Sequence, residues 1–341
     1  MTVDAELIRR LPKAELHVHL DGCLRPETMI ELAAAAGVSL PAANPAALAD
    51  FMQARDARNL EDYLGRYRVT LAVMQSPEAL ERIAYEFVID SAADGVRYVE
   101  VRYCPALHWP AVSREASVEA PLAGLARGER ETGTIARVIV CALRTLDPTV
   151  SRELADLAVG YRGRGVVAFD LAGAEGGHPP GRHAEAFERA RDGGLALTCH
   201  AGEGAGAASI REALDRCHAQ RIGHGVRLRE DPDLLERVRS ARIPLEVCPT
   251  SNVHTRTVPE LAAHPIREYF DRGLVVTVNT DSRLIDRITL SEEVRRVCRQ
   301  FAFTRDELNR LLLNAFECAF LDPETRAPLV ADVRRALREA A

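Results

Sequence analysis

The chain has 341 residues, of which 47% are hydrophobic and 28% charged, and its formal net charge is −6. This modest negative charge argues against nucleic acid or an acidic membrane as a partner and favours a small ligand. The apolar runs are short, and the N-terminal residues include acidic side chains where a signal peptide would be basic and then apolar. We therefore expect a cytoplasmic protein without a membrane segment. The length suits one barrel domain over residues 1–341.

Eight short runs of apolar and β-branched residues predict strands, at residues 15–20, 98–103, 137–143, 166–171, 195–200, 221–223, 244–247 and 274–279. Between most of these runs, apolar residues recur at three- and four-residue spacing, which predicts helices at 77–93, 149–160 and 184–192, among others. Strands that alternate with helices in this way predict an α/β fold, specifically a closed (β/α)8 TIM barrel.

Two parts of the chain exceed what the barrel needs. Residues 25–94, between the first two strands, are too many for one crossover, and they predict several extra helices that partly cover the barrel mouth. From Leu290 onward the pattern is helical again, and it includes the run RDELNRLLLNAFECAF followed by LDPE as a stop signal. We therefore expect additional helices at the C-terminus as well.

The residues best suited to chemistry follow the predicted strands. HVHLD comes at the end of the first strand, CHAGE at the fifth, GHG at the sixth and NTDS at the eighth. In a barrel of this kind, the active site forms at the carboxyl ends of the strands. The position of these motifs therefore predicts that their side chains meet in one site.

His17 and His19 are two residues apart on a strand, so both imidazoles point to the same side. Together with His200 and Asp281 they would complete a nitrogen and oxygen site suited to zinc, with a position left for water. Each residue by itself is more often structural, but four at predicted strand ends favour a metal, because such a cluster is costly to bury without one. The fourth-strand region, VVAFDLAG, has no lysine to bridge two metals, so we expect one Zn2+ per chain.

Glu203 and His224 are candidates for catalysis beside the metal. Glu203 follows His200 by three residues and could donate a proton to a ring nitrogen of the substrate. The alternative is a glutamate placed at a helix N-terminus, where the helix dipole favours it. His224, in RIGHG, could orient the attacking hydroxide, although a single strand histidine is more often part of the core.

The motifs PKAELHVHLDG, CHAGE, RIGHG, CPTSN and NTD, in this order, resemble the adenosine deaminase family. The resemblance extends from about Leu11 to about Leu321 and implies a zinc-dependent hydrolase that removes the amine of adenosine or deoxyadenosine. It assigns the metal ligands His17, His19, His200 and Asp281, with Glu203 protonating the purine ring and His224 orienting the hydroxide. It further implies that Asp21 binds the ribose 5′-hydroxyl and that the Gly173 backbone binds the purine.

The same resemblance bears on the substrate. Relatives that act on free adenine tend to have Glu at the position of Asp21, so a purine nucleoside is the expected small-molecule partner, with no nucleic acid and no membrane. An apolar lid over the nucleoside is implied at Leu60, Tyr63, Leu64 and Tyr67. The spacing of these four residues is equally typical of ordinary helix packing. The sequence leaves the oligomeric state open.

One position departs from the family pattern. Ser282 follows the metal ligand Asp281, where family members usually carry a second Asp that binds a purine nitrogen. A serine hydroxyl could serve there with shorter reach. Cys104, at the end of the second strand, is a second position where the pocket could differ. The GGHPP loop with His178 follows the fourth strand and could border the pocket.

These departures keep other functions open. The enzyme could deaminate a modified adenine nucleoside, such as aminodeoxyfutalosine or a 5′-thioadenosine, or it could act on adenine itself. A non-catalytic nucleoside-binding protein is the alternative that these residues favour least, since ligands and proton donor are all present.

Overall fold

The computed structural model describes residues 5–340. Eight parallel strands stand side by side in chain order, each paired with the next. All eight begin and end within two residues of the predicted runs, which confirms the TIM barrel. Their bounds are β1 Lys13–His19, β2 Val96–Tyr103, β3 Ile135–Leu143, β4 Val166–Ala172, β5 Ala196–Ala201, β6 Arg221–His224, β7 Leu245–Val247 and β8 Val276–Val278.

The barrel closes between its last and first strands. The backbone N–H of His19 donates to the carbonyl of Asp281 at 2.7 Å, and the N–H of Asp281 donates to the carbonyl of His17 at 3.1 Å. The side-chain oxygen of Asn279 accepts two more backbone N–H groups of β1, at 2.8 and 3.1 Å. This closure places three predicted metal ligands next to one another.

The strands are buried on both faces, as expected for parallel strands that helices cover on the outside. The barrel interior is not wholly apolar, because a network of paired charges crosses it. Arg221 on β6 makes ion pairs with Glu100 on β2 and Glu246 on β7, and all three side chains are buried. Each buried charge therefore has an opposite charge beside it, which offsets much of the cost of burial.

The segment before β2 forms five helices beyond the N-terminal one, as predicted. Side chains of Asn44, Asn59 and Ser76 cap three of these helices by accepting a backbone N–H three residues further on, at 2.9, 2.9 and 3.2 Å. The bounds are α1 Ala5–Arg10, α2 Pro26–Ala36, α3 Pro45–Met52, α4 Leu60–Leu64, α5 Tyr67–Leu71 and α6 Pro77–Ala93.

The outer layer of helices follows the strands around the barrel. The three helices predicted between strands occur as expected, with α8 starting one residue earlier. The bounds are α7 Ala116–Thr132, α8 Pro148–Gly160, α9 Ala184–Asp192, α10 Ala207–Arg216, α11 Pro232–Ser240, α12 Pro249–His254 and α13 Ile266–Asp271. Short 3-10 helices occupy Leu20–Gly22, Pro105–His108, Pro180–His183, Val226–Glu230 and Leu261–Ala263.

Four helices follow β8: α14 Arg283–Asp286, α15 Leu290–Gln300, α16 Arg305–Glu317 and α17 Pro323–Glu339. The LDPE motif, expected only to stop a helix, also starts one. The Asp322 side chain caps α17 and Pro323 is its first residue, which suits the fixed backbone of proline. Within residues 5–340, none of the helices is long and apolar enough to cross a bilayer.

Candidate active site

A cavity of about 250 Å³ lies at the carboxyl ends of the strands, where a barrel of this kind carries its site. Its volume suits one small ligand. Its wall is formed by residues at the ends of six strands, by one residue of the segment after β2 and by the helices α4 and α5: His19, Asp21, Leu60, Tyr63, Leu64, Tyr67, Arg68, Leu71, Leu107, Leu143, Thr145, Ala172, Gly173, Ala174, His200, Glu203, His224 and Asp281.

The four predicted metal ligands converge beside this cavity. One ligand atom from each of His17, His19, His200 and Asp281 lies within 4.8 Å of every other. Nε2 of His19 is 3.1 Å from Nε2 of His200, and Oδ1 of Asp281 is 3.3 Å from Nε2 of His17 and 3.4 Å from Nε2 of His19. Barrel closure and the strand ends therefore bring together residues up to 264 positions apart in the chain.

This arrangement fits a metal ion. Tetrahedral zinc with bonds of about 2.0–2.1 Å sets neighbouring ligand atoms roughly 3.3 Å apart. The separations above, 3.1 to 3.4 Å, agree with that spacing. Nε2 of His17 is buried without a hydrogen-bond partner among the described residues, which an ion would satisfy. Three imidazoles and one carboxylate also form a donor set that zinc accepts.

Two buried carboxylates orient the histidines from behind. Nδ1 of His17 is 2.9 Å from Glu246, and Nδ1 of His200 is 3.0 Å from Asp170. Arg102 donates to both carboxylates, at 2.8 and 2.9 Å. Burial alone would raise the pKa of each carboxyl, but Arg102 and the imidazoles outweigh it and hold each pKa well below its ordinary value. The ionised acids therefore keep a proton on Nδ1 and turn Nε2 toward the site.

Asp281 and His224 hold unusual backbone conformations. Their φ angles are +65° and +62°, in the left-handed region that residues with a Cβ seldom adopt. Both residues follow or end a short strand, and both side chains are nearly fully buried. The left-handed turn directs each side chain toward the cluster, so local strain is kept at the site.

Glu203 lies in the loop after β5, four residues before α10 begins, and it lines the cavity. It therefore does not lie in the first turn of that helix. Burial raises the pKa of its carboxyl well above the ordinary value, and the charges of Asp281 and Glu175 raise it further. Its Oε1 has no hydrogen-bond partner among the described residues, and its Oε2 is 3.5 Å from Nε2 of His224. Burial therefore favours the protonated form of this carboxyl at the cavity wall.

Glu175, in the loop after β4, holds the Glu203 loop in place. Its carboxylate accepts the backbone N–H groups of Gly202, Glu203 and Ala205 at 2.8, 2.9 and 2.8 Å. Three donors on one buried carboxylate are a strong restraint, because hydrogen bonds to a charged acceptor are about twice as strong as neutral ones. The Glu203 side chain is thereby fixed relative to the cavity.

Some of the residues expected near the substrate line the cavity, and others do not. Asp21 and Gly173 line the cavity, as the family pattern implies. Burial raises the pKa of Asp21 to about 7, and its Oδ1 has no hydrogen-bond partner within residues 5–340. Cys104 is buried and is not part of the cavity wall. His178 is not part of it either, although its loop borders the cavity through Gly173 and Ala174.

The four lid residues all face the cavity. They lie on α4 and α5, and the tyrosines anchor these short helices to the end of the barrel. The Tyr63 hydroxyl donates to Oδ2 of Asp286 at 2.8 Å, and the Tyr67 hydroxyl is hydrogen-bonded to Ser282. Arg68 and Leu71 continue the same cavity-facing side.

Ser282 itself is fully buried and does not reach the cavity wall. Its hydroxyl is hydrogen-bonded to Tyr67 on one side and packs against Gly22 on the other. A Cβ added to Gly22 would lie only 2.6 Å from the serine oxygen. Tyr67 therefore stands between Ser282 and the cavity. A direct contact between Ser282 and a substrate would require these side chains to move.

Several residues of this site were not among those singled out from the sequence: Asp170, Glu175, Glu246, Ser251, Asn252 and His264. Asp170 lies in the DLAG segment at a strand end, and Ser251 and Asn252 lie in CPTSN, so these motifs carry a sequence signal for all three residues. Glu175 and His264 lie in loops with no strand-end pattern.

Comparisons with known proteins agree with this geometry. The sequence pattern of the family described as adenosine deaminase matches residues 12–336. An adenosine deaminase of Mycobacteroides abscessus is 44% identical, over 98% of this chain and 97% of its own length. The chain also resembles the crystal structure of adenine deaminase from Arthrobacter aurescens, with TM-score 0.86 and 30% identity, over 96% of this chain and 99% of that one.

A zinc-bound amidohydrolase from Burkholderia ambifaria superposes with TM-score 0.90 at 28% identity, over 100% of this chain and 94% of that one. The family pattern spans nearly the whole chain, and the relatives match over almost their full lengths. This chain therefore belongs to the adenosine deaminase family of hydrolytic deaminases.

Proposed function

We propose that this protein catalyses the zinc-dependent hydrolytic deamination of an adenine-type nucleoside, turning adenosine or deoxyadenosine and water into inosine or deoxyinosine and ammonia. The convergence of the cluster His17, His19, His200 and Asp281 with the Glu203 carboxyl at one cavity carries this proposal. The name of the Mycobacteroides abscessus relative supports the same substrate class.

The four clustered residues would hold one zinc ion, and the zinc in the Burkholderia ambifaria relative supports that choice of metal. When bound, zinc lowers the pKa of a water molecule and makes it a nucleophile near neutral pH. Glu246 and Asp170 keep His17 and His200 turned toward the ion. Ser251 fixes the Asp281 carboxylate through a hydrogen bond of 2.6 Å.

Glu203 donates its proton to a ring nitrogen of the purine. Its raised pKa keeps the carboxyl protonated until the substrate arrives. Protonation of the ring makes the carbon that bears the amine electrophilic, and the attacking oxygen forms its bond there. His224, beside Glu203, orients that oxygen. The hydroxyl proton of the adduct then passes to the amine, which leaves as ammonia, while the proton first lost by the water replaces the one that Glu203 donated, so that water and nucleoside are fully accounted for.

Substrate binding follows from the cavity wall. Asp21 accepts a hydrogen bond from the ribose 5′-hydroxyl, and the backbone of Gly173 meets the purine. The lid formed by Leu60, Tyr63, Leu64 and Tyr67 covers the nucleoside with apolar surface. Ser282 acts on the substrate only through Tyr67, whose hydroxyl it binds.

A second candidate is the deamination of an adenine nucleoside with an acidic substituent. Arg68 lines the cavity and makes no ion pair with any described residue. An unpaired guanidinium beside a ligand favours a carboxylate or phosphate, which it can bind through two N–H groups. Asp21, on the same wall, argues against a charged 5′ group and leaves the simple nucleoside as the first choice.

The test is a substrate panel with metal analysis on the same preparation. Zinc-loaded protein is mixed with adenosine, deoxyadenosine, adenine, 5′-methylthioadenosine and AMP, and ammonia release is measured beside the loss of adenine absorbance. We expect the highest kcat/KM with adenosine or deoxyadenosine and one zinc per chain. Activity confined to AMP would support the second candidate, and its loss in Arg68→Ala would confirm that role. No ammonia from any compound would reject deamination of these substrates.

A further inference from the structure

Two residues that the proposed reaction does not touch are linked to His224 by hydrogen bonds. Nδ2 of Asn252, in α12, lies 3.1 Å from Nδ1 of His224, and Oδ1 of Asn252 lies 3.2 Å from Nε2 of His264. Nδ1 of His264 lies 3.1 Å from the backbone nitrogen of Ile266. These contacts form one continuous hydrogen-bonded relay from the start of α13 to the cavity wall.

The direction of every hydrogen bond in this relay follows from its far end. The backbone N–H of Ile266 can only donate, so Nδ1 of His264 accepts and carries no proton. The ring proton of His264 is therefore on Nε2, and Asn252 must present its oxygen to it. The amide NH2 of Asn252 then faces His224 and donates to Nδ1, which fixes the orientation of the amide by chemistry.

Nδ1 of His224 is consequently an acceptor, and the ring proton lies on Nε2. That nitrogen is 3.5 Å from Oε2 of Glu203, beside the four predicted metal ligands. We propose that Asn252 and His264 are positioning residues that hold His224 in the tautomer with its proton on Nε2. In the proposed function, on which this last step rests, His224 thereby presents an N–H group to the attacking oxygen.

Burial makes the relay hard to replace by solvent. Asn252 is fully buried, and His224 and His264 are 1% and 3% exposed. The opposite tautomer of His224 would set its Nδ1–H against the amide NH2 of Asn252, and two buried donors facing each other are unfavourable. If the ring proton of His264 moved to Nδ1, the hydrogen bond from the backbone N–H of Ile266 would be lost. The backbone N–H of Ile266 thus determines, through His264 and Asn252, which ring nitrogen of His224 carries the proton.

The proposal is tested by nitrogen-15 NMR of protein labelled in histidine and supplied with zinc. In the wild type we expect Nδ1 of His224 to be unprotonated and Nε2 to carry the proton. In Asn252→Asp, the carboxylate can only accept, so Nδ1 of His224 should become protonated. We expect kcat to fall at least about a hundredfold in this variant, with KM and zinc content little changed.

Asn314→Asp is the matched control, because Asn314 is also buried but donates to the carbonyl of Val276, away from the relay. This control should leave the His224 signals unchanged. A proton on Nδ1 of His224 in the wild type would overturn the proposal even if Asn252→Asp fails to fold. The NMR readout needs no substrate, so an inert result in the substrate panel would reject the proposed function without affecting the tautomer.

Discussion

The Ser251 hydroxyl donates a hydrogen bond of 2.6 Å to Oδ2 of Asp281, while Oδ1 of the same carboxylate faces His17 and His19. Asp281 therefore has one oxygen occupied by the protein and one directed at the cluster. This division fixes the rotation of the carboxylate and leaves a single oxygen for an ion. Ser251 belongs to α12, so the helix after β7 takes part in shaping the site.

Replacing Ser251 by alanine should weaken metal binding by roughly ten- to a hundredfold, the usual effect of losing a partner that orients a metal ligand. The carboxylate would remain but would rotate more freely. Competition with a zinc chelator measures the affinity. Ser209→Ala is the control, because Ser209 is buried, its hydroxyl lacks a hydrogen-bond partner among the described residues, and it lies outside the site. Equal zinc affinity in both variants would contradict the role given to Ser251.

Replacing Glu203 and replacing Asp281 should impair the protein in different ways, the first in turnover and the second in zinc binding. In Glu203→Gln the proton donor is lost, so we expect turnover to drop by about 10²–10⁴-fold while zinc content stays complete. In Asp281→Ala a ligand is lost, so zinc content itself should fall. Metal analysis and ammonia release on the same samples separate the two effects. Full zinc occupancy in Asp281→Ala would mean that the ligand set is wrong.

Glu175→Gln should lower kcat more than it raises KM. The amide would set an NH2 group against one or two of the three backbone N–H donors that the carboxylate now accepts, so the Glu203 loop would shift. We expect a decrease in kcat of at least about tenfold, because small displacements of a catalytic group are costly. Glu212→Gln is the control, since Glu212 also accepts a backbone N–H, from Gly181, but outside the cavity. Unchanged kcat in Glu175→Gln would refute the restraint.

Glu293 should make stability depend on pH. Burial raises the pKa of its carboxyl from 4.5 to about 7, although the hydrogen bonds from Thr250 partly offset this. Between these pH values the unfolded chain binds fewer protons than the folded protein, so the free energy of unfolding falls as the pH rises. The contribution of Glu293 to this loss from about pH 4 to pH 8 should be about 3 kcal/mol, and Glu293→Gln should remove that contribution.

Denaturant unfolding at a series of pH values measures this difference. Glu292→Gln is the control, because Glu292 is the preceding residue on α15 but is partly exposed and paired with Arg295. It should leave the dependence between pH 4.5 and pH 7 in place. A pH dependence that persists unchanged in Glu293→Gln would show that other groups cause it.

The barrel and the convergence of the four predicted metal ligands could be predicted because both depend on local patterns joined to one general rule. Apolar runs of three to seven residues mark the strands, and parallel strands in a barrel all end at one face. His17, His19, His200 and Asp281 each lie at such an end, so their meeting follows without any knowledge of loop shape. The N-terminal caps of α3, α6 and α16 likewise follow from single side chains at the right spacing.

The restraints around the cluster could not be predicted in the same way. Glu175 lies in the loop after β4 but binds the backbone of the loop after β5, and His264 binds Asn252 from the loop before α13. Both contacts therefore depend on how separate segments pack against each other. No periodic pattern encodes such a contact. The position of Ser282 outside the cavity wall could not be predicted for a related reason, because the direction of its side chain depends on the packing of Tyr67 and Gly22 rather than on its neighbour Asp281.

The left-handed turns at His224 and Asp281 have a consequence for the evolution of this protein. Glycine adopts such φ angles freely, and other residues are held there at a cost of about 1–2 kcal/mol each. Glycine at position 224 or 281 would relieve that cost, but it would leave the buried polar groups of Asn252 and Ser251 without their partners, at a cost of about 1–3 kcal/mol each. Selection for heat resistance alone therefore gains little from glycine at either position, so the two turns are retained together with the side chains that they direct.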